Sequence, residues 1–577
     1  MTQVVKARIF RREYRDSMVL MLLSARLEKL PGVLKAAAVM GTDANKELLS
    51  VMGLGVPGVS EAGASDLLVV LRATDSDSAS GALARLEEML AGEMPGPGSG
   101  EVFYRSLEGA VAGLPGANLA VISLPGAHAA REARKALDLG LHVFLFSDHV
   151  PLDEEIALKK AGRERGLLVM GPDCGTALID GLGVGFANAV RRGPVGIVGA
   201  SGTGIQEVSV LLHRAGLGVS HALGTGGRDL SSEVGGIATF QSIGLLEEDP
   251  RTEVLVLLAK SPSAEMAGIL RARLKSCPKP SVACFLGQAG EEDDPPFHRV
   301  STLAKAARKA ARLAGSTAGE FGEAPALLSR LAGQESRRLQ PQQRFVRGLF
   351  SGGSLCREAL CLWRDLLGPV DSQAAPPPEA SPSGPTGGPG HLALDLGDDF
   401  FTAGRLHPMI DPGIRRERLL QEAEDPSAAV IVFDVVLGHG SHPDMAGALL
   451  PAIVEARSRA LSRGRYLSFV AHVVGTEEDP QKAGDQENRL RSAGVVVAST
   501  NADAALIAAQ ITLGFTSSNW RMRKGSHWAI SSGSGFRFPG GRHLMTLQMY
   551  TSLRSSFMPL TLMSVSNCPA RSRMSPP

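Results

Sequence analysis

The sequence predicts an α/β protein of several domains, built on parallel sheets with helices on both faces. Three observations carry this expectation. Short aliphatic runs, among them "DLLVVLRA", "NLAVISLP", "HVFLFSD", "VGIVGAS" and "EVLVLLAKS", alternate with helical stretches such as "AAREARKALDLG" and "IQEVSVLLHRAG", and strand, helix, strand repetition implies right-handed crossovers between parallel strands. The runs are continuously apolar rather than alternating, as strands buried on both faces are. At 577 residues the chain exceeds what one core holds.

Composition narrows the class. Hydrophobic residues make up 44% and charged ones 21%, the balance of a folded soluble chain. A formal net charge of +1 supplies no general attraction to nucleic acid or an anionic membrane, and neither is expected as a partner. No apolar run is long enough to span a bilayer, and the opening "MTQVVKARIFRREYRDSMVLMLLSARL" mixes basic residues with Glu13 and Asp16. No spanning helix or secretory leader is read, and the cytosol is the expected compartment. Cys174, Cys277, Cys284, Cys356, Cys361 and Cys568 form no CxxC pair, so neither a disulfide framework nor a metal site is expected.

Composition shifts divide the chain. A small αβ unit is expected over 1–95, a Rossmann-like unit over 96–190 and an α/β domain over 191–335, followed by a connecting strand, GGS turn and helix over 336–368. Residues 369–390, "PVDSQAAPPPEASPSGPTGGPG", combine proline with small polar residues and read as a linker. Another α/β domain fills 391–512. From 513 to 577 the sequence is rich in Ser, Met and Arg and keeps no period; it reads as a disordered tail.

Ligands of such sheets sit at the carboxyl ends of strands, where several glycine-rich turns fall. In "GPVGIVGASGTGIQEV" (193–208), Ser201, Gly202, Thr203 and Gly204 lie between strand and helix. Glycines permit close approach, while hydroxyls and free amides at the helix start favour a phosphate or carboxylate. No lysine follows the glycines, so this is not a nucleoside-triphosphate P-loop. A turn that uses Gly for packing and Ser for capping is the ordinary alternative. "LGTGGRDLSSE" (223–233) adds Gly226, Gly227 and Arg228, whose guanidinium suits an anionic ligand or a neighbouring acid. "RGLFSGGSLCREAL" (347–360) repeats the design with Gly352, Gly353 and Ser354, and "VIVFDVVLGHGSHPD" (430–444) with Gly438 and Gly440.

"MGPDCGTALI" (170–179) contains Asp173 and Cys174; no His can be placed beside the thiol, which reads as buried and structural. Asp148 ends the strand "HVFLFSD". Asp398, Asp399, Arg405, His407 and Asp411 cluster over 394–417 without the spacing of a metal site.

In this order the segments resemble the succinyl-CoA synthetase superfamily, and within it the FdrA family of acyl-CoA synthetase-like proteins. The likeness covers residues 1–512 and is strongest over 165–262 and 393–481. It implies a CoA-binding Rossmann-like domain over 96–190, ending in Gly171-Pro172-Asp173-Cys174, and two flavodoxin-like ligase domains: one like the α-subunit over 191–335, one like the β-subunit over 391–512. By the resemblance Ser201, Gly202 and Thr203 are the phosphate loop, and Glu207 is the acid that orients a phosphohistidine. Asp148, Asp173 and Cys174 are the expected contacts to substrate or CoA, and Gly438 and Gly440 precede a second phosphate-facing helix.

Two departures shape the expected chemistry. The family's phosphohistidine follows a strand matched by "SVACFLGQ" (281–288), in a Gly-His-Ala-Gly setting; here His298 in "FHRV" lacks those glycines and is not expected to be catalytic. The segment before residue 100 is too short for an ATP-grasp fold, so ATP is not an expected cofactor, whereas coenzyme A is implied. The expectation is an acyl-CoA synthetase-like protein that handles an acyl or carbamoyl phosphate at paired helix N-termini, with Glu207 and Arg228 as catalytic residues. Two alternatives stay open. One is a carbamoyltransferase subunit acting on a small amide such as oxamate, with partner subunits or as a homo-oligomer; the other is a non-catalytic CoA- or metabolite-binding scaffold.

Overall fold

The computed structural model describes residues 3–514 apart from 90–103, 317–321, 374–389 and scattered positions, together with 520–523 and 527–530. Its first unit comprises β1 (Val4–Phe10), α1 (Ser17–Glu28), β2 (Val33–Met40), β3 (Leu67–Ala73) and α2 (Ser76–Ala84). The strands lie in the order β1-β3-β2 and both pairs are antiparallel. Side chains alternate across a strand, so β3 feeds two cores. Leu67, Val69 and Leu71 pack with Leu20, Leu23 and Leu27 of α1, and Leu68 and Val70 with Leu49, Leu54 and Val59. The antiparallel pairing departs from the expected parallel sheets, because an apolar run reports burial on two faces and not strand direction.

The second unit holds α3 (Leu107–Gly113), β4 (Leu119–Ile122), α4 (Gly126–Asp138), β5 (His142–Leu145), α5 (Leu152–Glu164) and β6 (Val169–Met170). Its three strands are parallel in the order β4-β5-β6. α4 buries Ala129, Ala133, Ala136 and Leu137, a helical spacing that presents one small-residue face to the sheet.

The third unit holds β7 (Thr176–Ile179), β8 (Leu182–Gly185), β9 (Val195–Gly199), α6 (Gly202–Arg214), β10 (Val219–Gly224), α7 (Ile237–Glu248), β11 (Val254–Lys260), α8 (Ala264–Lys275), β12 (Ser281–Leu286), β13 (Glu292–Asp294), β14 (Phe297–Val300) and α9 (Leu303–Leu313). β10-β9-β11-β12-β14 are parallel, the flavodoxin-like order 2-1-3-4-5. β7 and β8 extend the β10 edge in antiparallel fashion. The boundary expected at 190 therefore moves back to the turn before Thr176.

α10 (Pro325–Ser336) leads into the fourth unit: β15 (Phe345–Phe350), α11 (Gly353–Leu367), β16 (Val370–Asp371), β17 (His391–Asp395), α12 (Asp399–Thr402), α13 (Gly413–Glu424), β18 (Ala428–Val436), α14 (Met445–Ser462), β19 (Ser468–Val474), α15 (Ala483–Ser492), β20 (Val496–Ala498) and α16 (Asn501–Thr512). All six strands, β16-β17-β15-β18-β19-β20, are parallel, and β17-β15-β18-β19-β20 again run 2-1-3-4-5.

This topology corrects two expectations. β15 and α11 open the fourth domain rather than connect two domains. The segment 369–390 is not an interdomain linker, since β16 and β17 pair at its ends, Val370 opposite His391. Proline-rich composition announces an unpaired stretch and carries no information on where its ends go. The two flavodoxin-like domains share one core: Val195, Ile197, Val208 and Val282 belong to the same cluster as Phe350, Trp363, Val430 and Ile507.

Beyond Phe515, β21 (Trp520–Arg523) and β22 (His527–Ile530) form an antiparallel pair in a separate unit. The rest of the expected tail lies outside the described residues. Among those described, no helix is long and apolar enough to cross a membrane.

Candidate functional site

In an open α/β sheet, loops diverge where the strand order reverses and leave a crevice at the carboxyl ends of strands 1 and 3. Those strands are β9 and β11 in one domain and β15 and β18 in the other. They carry Ser201–Gly204 and Lys260 on one side, Ser351–Ser354 and Asp434 on the other. The crevices meet. Ser201 Oγ caps α6 by accepting from the Gly204 amide at 3.3 Å and is hydrogen-bonded to Ser354 Oγ in the first turn of α11. A Cβ on Gly352 would lie 2.9 Å from Thr203 Cβ, and one on Gly353 3.1 Å from Lys260 Nζ. Two partly positive helix ends and an ammonium thus gather at one joint.

Much of this joint is shut. Ser201, Thr203, Gly204, Gly352 and Ser354 are buried, and only Gly202 and Gly353 stay half-buried. The open anion mouth expected at 201–204 is a domain contact here, because the second domain's loop fills it. Behind Gly202 the Thr176 hydroxyl is buried with no hydrogen-bond partner among the described residues, 2.9 Å from where a Gly202 Cβ would stand. Asp434, missed from sequence, organises the opposite loop. It accepts from Ser351 N at 2.8 Å, Ser351 Oγ at 2.9 Å and Gly352 N at 2.8 Å, and pairs with buried Arg415 at 2.9 Å. A lone Asp inside the apolar run "VIVFDVVLG" was its only signal.

Several expected roles change. Glu207 is fully buried and hydrogen-bonded to His472 Nε2 at 2.7 Å, so it meets a partner domain and not a substrate. Arg228 NH2 donates to the Val150 carbonyl at 2.7 Å and pairs with Glu155 at 2.9 Å; it ties its loop to α5. Gly226 and Gly438 serve close backbone packing: both have positive φ, and a Cβ would lie 2.3 Å from the Pro172 carbonyl in one case and 2.4 Å from the Ala187 carbonyl in the other. Gly440 likewise abuts Phe186. Cys174 is buried, its thiol pushed up to about 12 by loss of hydration, which removes it as a nucleophile or ligand contact. His298, not expected to be catalytic, lies within β14, buried, with Nδ1 hydrogen-bonded to Asp293.

Other expected residues do converge on the rim. Gly227 abuts Asp173, with a Cβ position 3.3 Å from its carboxylate. Lost hydration raises the Asp173 carboxyl to about 6 against the pull of Lys260, with Asp148 and Asp399 adding repulsion. Burial likewise raises Asp395 to about 6, again opposed by Lys260. Asp148, His149 and Asp399 bring ligand atoms within 4.8 Å of one another. All three are exposed, and exposed acids gather this way without an ion. The cluster read over 394–417 disperses: Arg405 pairs with Glu417 at 2.9 Å, and Asp411 accepts from the Gly413 amide at 3.1 Å. His407 Nδ1 accepts from the Met409 amide at 3.2 Å, which places the ring proton on Nε2. Burial pushes its pKa down to about 4, and Nε2 lies 2.6 Å from where a Gly397 Cβ would stand. It is a neutral donor beside the Ser351 loop.

Two flavodoxin-like sheets joined at their switch points agree with what sequence comparison finds. A family model described as a CoA binding domain matches residues 190–277, and one described as CoA-ligase matches 349–511. The chain is a CoA-ligase superfamily protein, with a CoA-binding domain followed by a CoA-ligase domain. It belongs to the family of YahF, an uncharacterized protein of Escherichia coli (strain K12), which is 44% identical over 497 residues, 86% of this chain and 96% of YahF.

The succinate–CoA ligase [ADP-forming] subunit alpha 2 of Archaeoglobus fulgidus is 30% identical over 181 residues, 30% of this chain and 61% of that protein. A structure of ATP citrate lyase from Methanothrix soehngenii in complex with citrate and coenzyme A matches 37% of this chain and 38% of its own, at 21% identity and a TM-score of 0.29. The CoA-binding match begins at 190, one unit later than the segment read as CoA-binding from sequence. A third model, described as AllF, heavy metal-associated domain, matches 1–101. That segment contains neither cysteine nor histidine, and so lacks the usual nitrogen and thiolate ligands of soft metals.

Proposed function

We propose that the protein handles an acyl or carbamoyl phosphate at the joint of α6 and α11, without a phosphohistidine relay. The observation that carries this reading is the hydrogen bond between Ser201 and Ser354. Two helix N-termini meet head to head with Lys260 alongside, and a bound anion would relieve their mutual repulsion. The phosphoryl oxygens would rest over half-buried Gly202 and Gly353, with the two serine hydroxyls, once parted, and Lys260 as donors. Asp173 and Asp395, each raised to about 6, stay mostly ionised at neutral pH, and the Lys260 ammonium offsets both. An activated acyl group supplied by the substrate needs no enzyme-bound phosphate, which accords with His298 being held in its sheet.

Transfer of a carbamoyl group to a small amide such as oxamate, with partner subunits, is the variant that the FdrA resemblance favours. A non-catalytic CoA-binding subunit is the competing reading, and the shut joint favours it. Single-turnover exchange of labelled carbonyl into carbamoyl or acyl phosphate, run beside thermal shifts with CoA, phosphate, carbamoyl phosphate and ATP, separates the two. Exchange that is lost in Ser201→Ala and Ser354→Ala supports the proposal. A shift with CoA alone and no exchange leaves the scaffold reading, and a shift with ATP alone overturns both.

A further inference from the structure

We propose that the groove between α8 and the β13–β14 hairpin is a second ligand site, built for a small carboxylate with an apolar body. The groove encloses about 650 Å³, within the range of small-molecule sites. It lies on the outer edge of the third unit's sheet, against β12 and β14 and away from the β9–β11 crevice. Phe285 and Phe297 form its floor, Ala264 and Ala267 of α8 one wall, and Arg299 is its distinctive polar group.

Arg299 stands two residues after Phe297 and so shares its face of the sheet. Its Nε is buried without a hydrogen-bond partner, and no described residue pairs with the guanidinium. That sets it apart. The other arginines with an unbonded buried nitrogen interact elsewhere on the same side chain: Arg347 with Glu422 and Asp425, Arg415 with Asp434, Arg457 with the Ala493 carbonyl. The acid that could answer Arg299 is already engaged. Glu292 stands opposite it in the strand pair, yet both Glu292 oxygens accept from Arg271 Nε at 2.9 Å.

An Nε–H that loses water without gaining an acceptor is unfavourable, and a carboxylate answers it side-on, taking Nε and one terminal nitrogen in two parallel hydrogen bonds. Arg271 and Arg299 against Glu292 leave one net positive charge in the lining, which suits a monoanion better than a phosphate dianion. The two phenylalanines and two alanines call for an apolar body on that anion. Gly268 of α8 also borders the groove, and nothing lies within 4 Å of where its Cβ would stand.

The experiment is isothermal titration of the full chain with phenylacetate, with phenylacetamide as the uncharged control of the same shape and inorganic phosphate as the anion without an apolar body. Phenylacetate is expected to bind saturably and about tenfold or more tighter than the amide, the margin of a charge-assisted pair. Arg299→Ala should reduce phenylacetate to the level of the amide. Gly268→Leu fills the groove from a position that accepts a side chain without strain and favours helix; it should abolish binding at an unchanged melting temperature, and it decides the matter if Arg299→Ala does not fold. The proposal is overturned by an absence of saturable binding, by equal affinity for acid and amide, by phosphate displacing phenylacetate at equal concentration, or by both variants binding as the wild type does; phosphate that binds without displacing phenylacetate reports the α6–α11 joint instead.

Discussion

Glu207 of α6 and His472 of β19 are joined by a 2.7 Å hydrogen bond across the two α/β domains, with both side chains withdrawn from water. His472 Nδ1 faces the Ala498 carbonyl at 3.1 Å, an acceptor only. That nitrogen therefore keeps its proton, and the ring is imidazolium whenever Glu207 is ionised. Asn501 extends the network: its backbone amide donates to Glu207 at 3.3 Å and its side chain to Glu358 at 2.8 Å.

Removing one partner of this pair leaves an uncompensated buried charge, so His472→Leu should cost about 3 kcal/mol or more, while Glu207→Leu with His472→Leu recovers most of it. Burial alone would lower the His472 pKa, but the Glu207 carboxylate raises it above its ordinary value. Its contribution is then fully present below the unfolded pKa of about 6.5 and is lost as pH rises through the raised folded value. Denaturant melts of wild type and variants across pH 6 to 9 check both statements; equal stabilities at every pH would refute them.

Glu358 titrates with the same sign, starting from a lower pH. Burial pushes its carboxyl up to about 7, whereas an unfolded Glu sits near about 4.3. Between those values the folded state binds more protons, so stability should fall as pH rises through that window. Glu358→Gln should flatten that part of the stability profile, whatever its absolute stability.

Asp434→Ala would strip Arg415 of its counter-ion and the Ser351 loop of its acceptor at once. A loss of about 3 to 5 kcal/mol is expected, together with faster amide exchange at Ser351 and Gly352. Unchanged exchange there would show that the loop holds itself.

Gly438→Ala distinguishes packing from ligand binding. The residue has φ +107° and lies against the Ala187 carbonyl, so an alanine should cost about 2 kcal/mol or more through strain and overlap. Phosphate affinity, read by titration on the folded fraction, should stay at the wild-type value. A selective loss of phosphate binding at full stability would restore the glycine to the ligand site.

Cys174 should resist alkylation in the native protein, as should buried Cys284 and Cys356. Peptide mapping after iodoacetamide treatment, with and without denaturant, reads this directly. Rapid native labelling of Cys174 would return it to the list of reactive groups.

Local patterns were legible in the chain. The "VGIVG" run and the Ser201–Gly204 turn become β9 and the capped start of α6, since burial on two faces, a capping hydroxyl and glycine freedom are written in neighbouring residues. The partners of Glu207, Asp434 and Arg228 were not legible. Each is met by a residue far along the chain or by a backbone group whose position depends on sheet register. Lys260 appeared only as the end of an apolar strand, and its place beside Gly353 arises when the two switch points face each other.

The sequence by itself determined that the chain is α/β, that its turns carry glycine and hydroxyl at strand ends, and that its superfamily is that of the CoA ligases. Only the tertiary structure decided that β15 belongs with the strands beyond the proline-rich segment, that the first sheet is antiparallel, and that the second domain closes over the Ser201 loop. The reason is physical. Periodicity and capping are interactions within a few residues, whereas strand order, domain docking and the pairing of buried charges depend on which distant surfaces exclude water together.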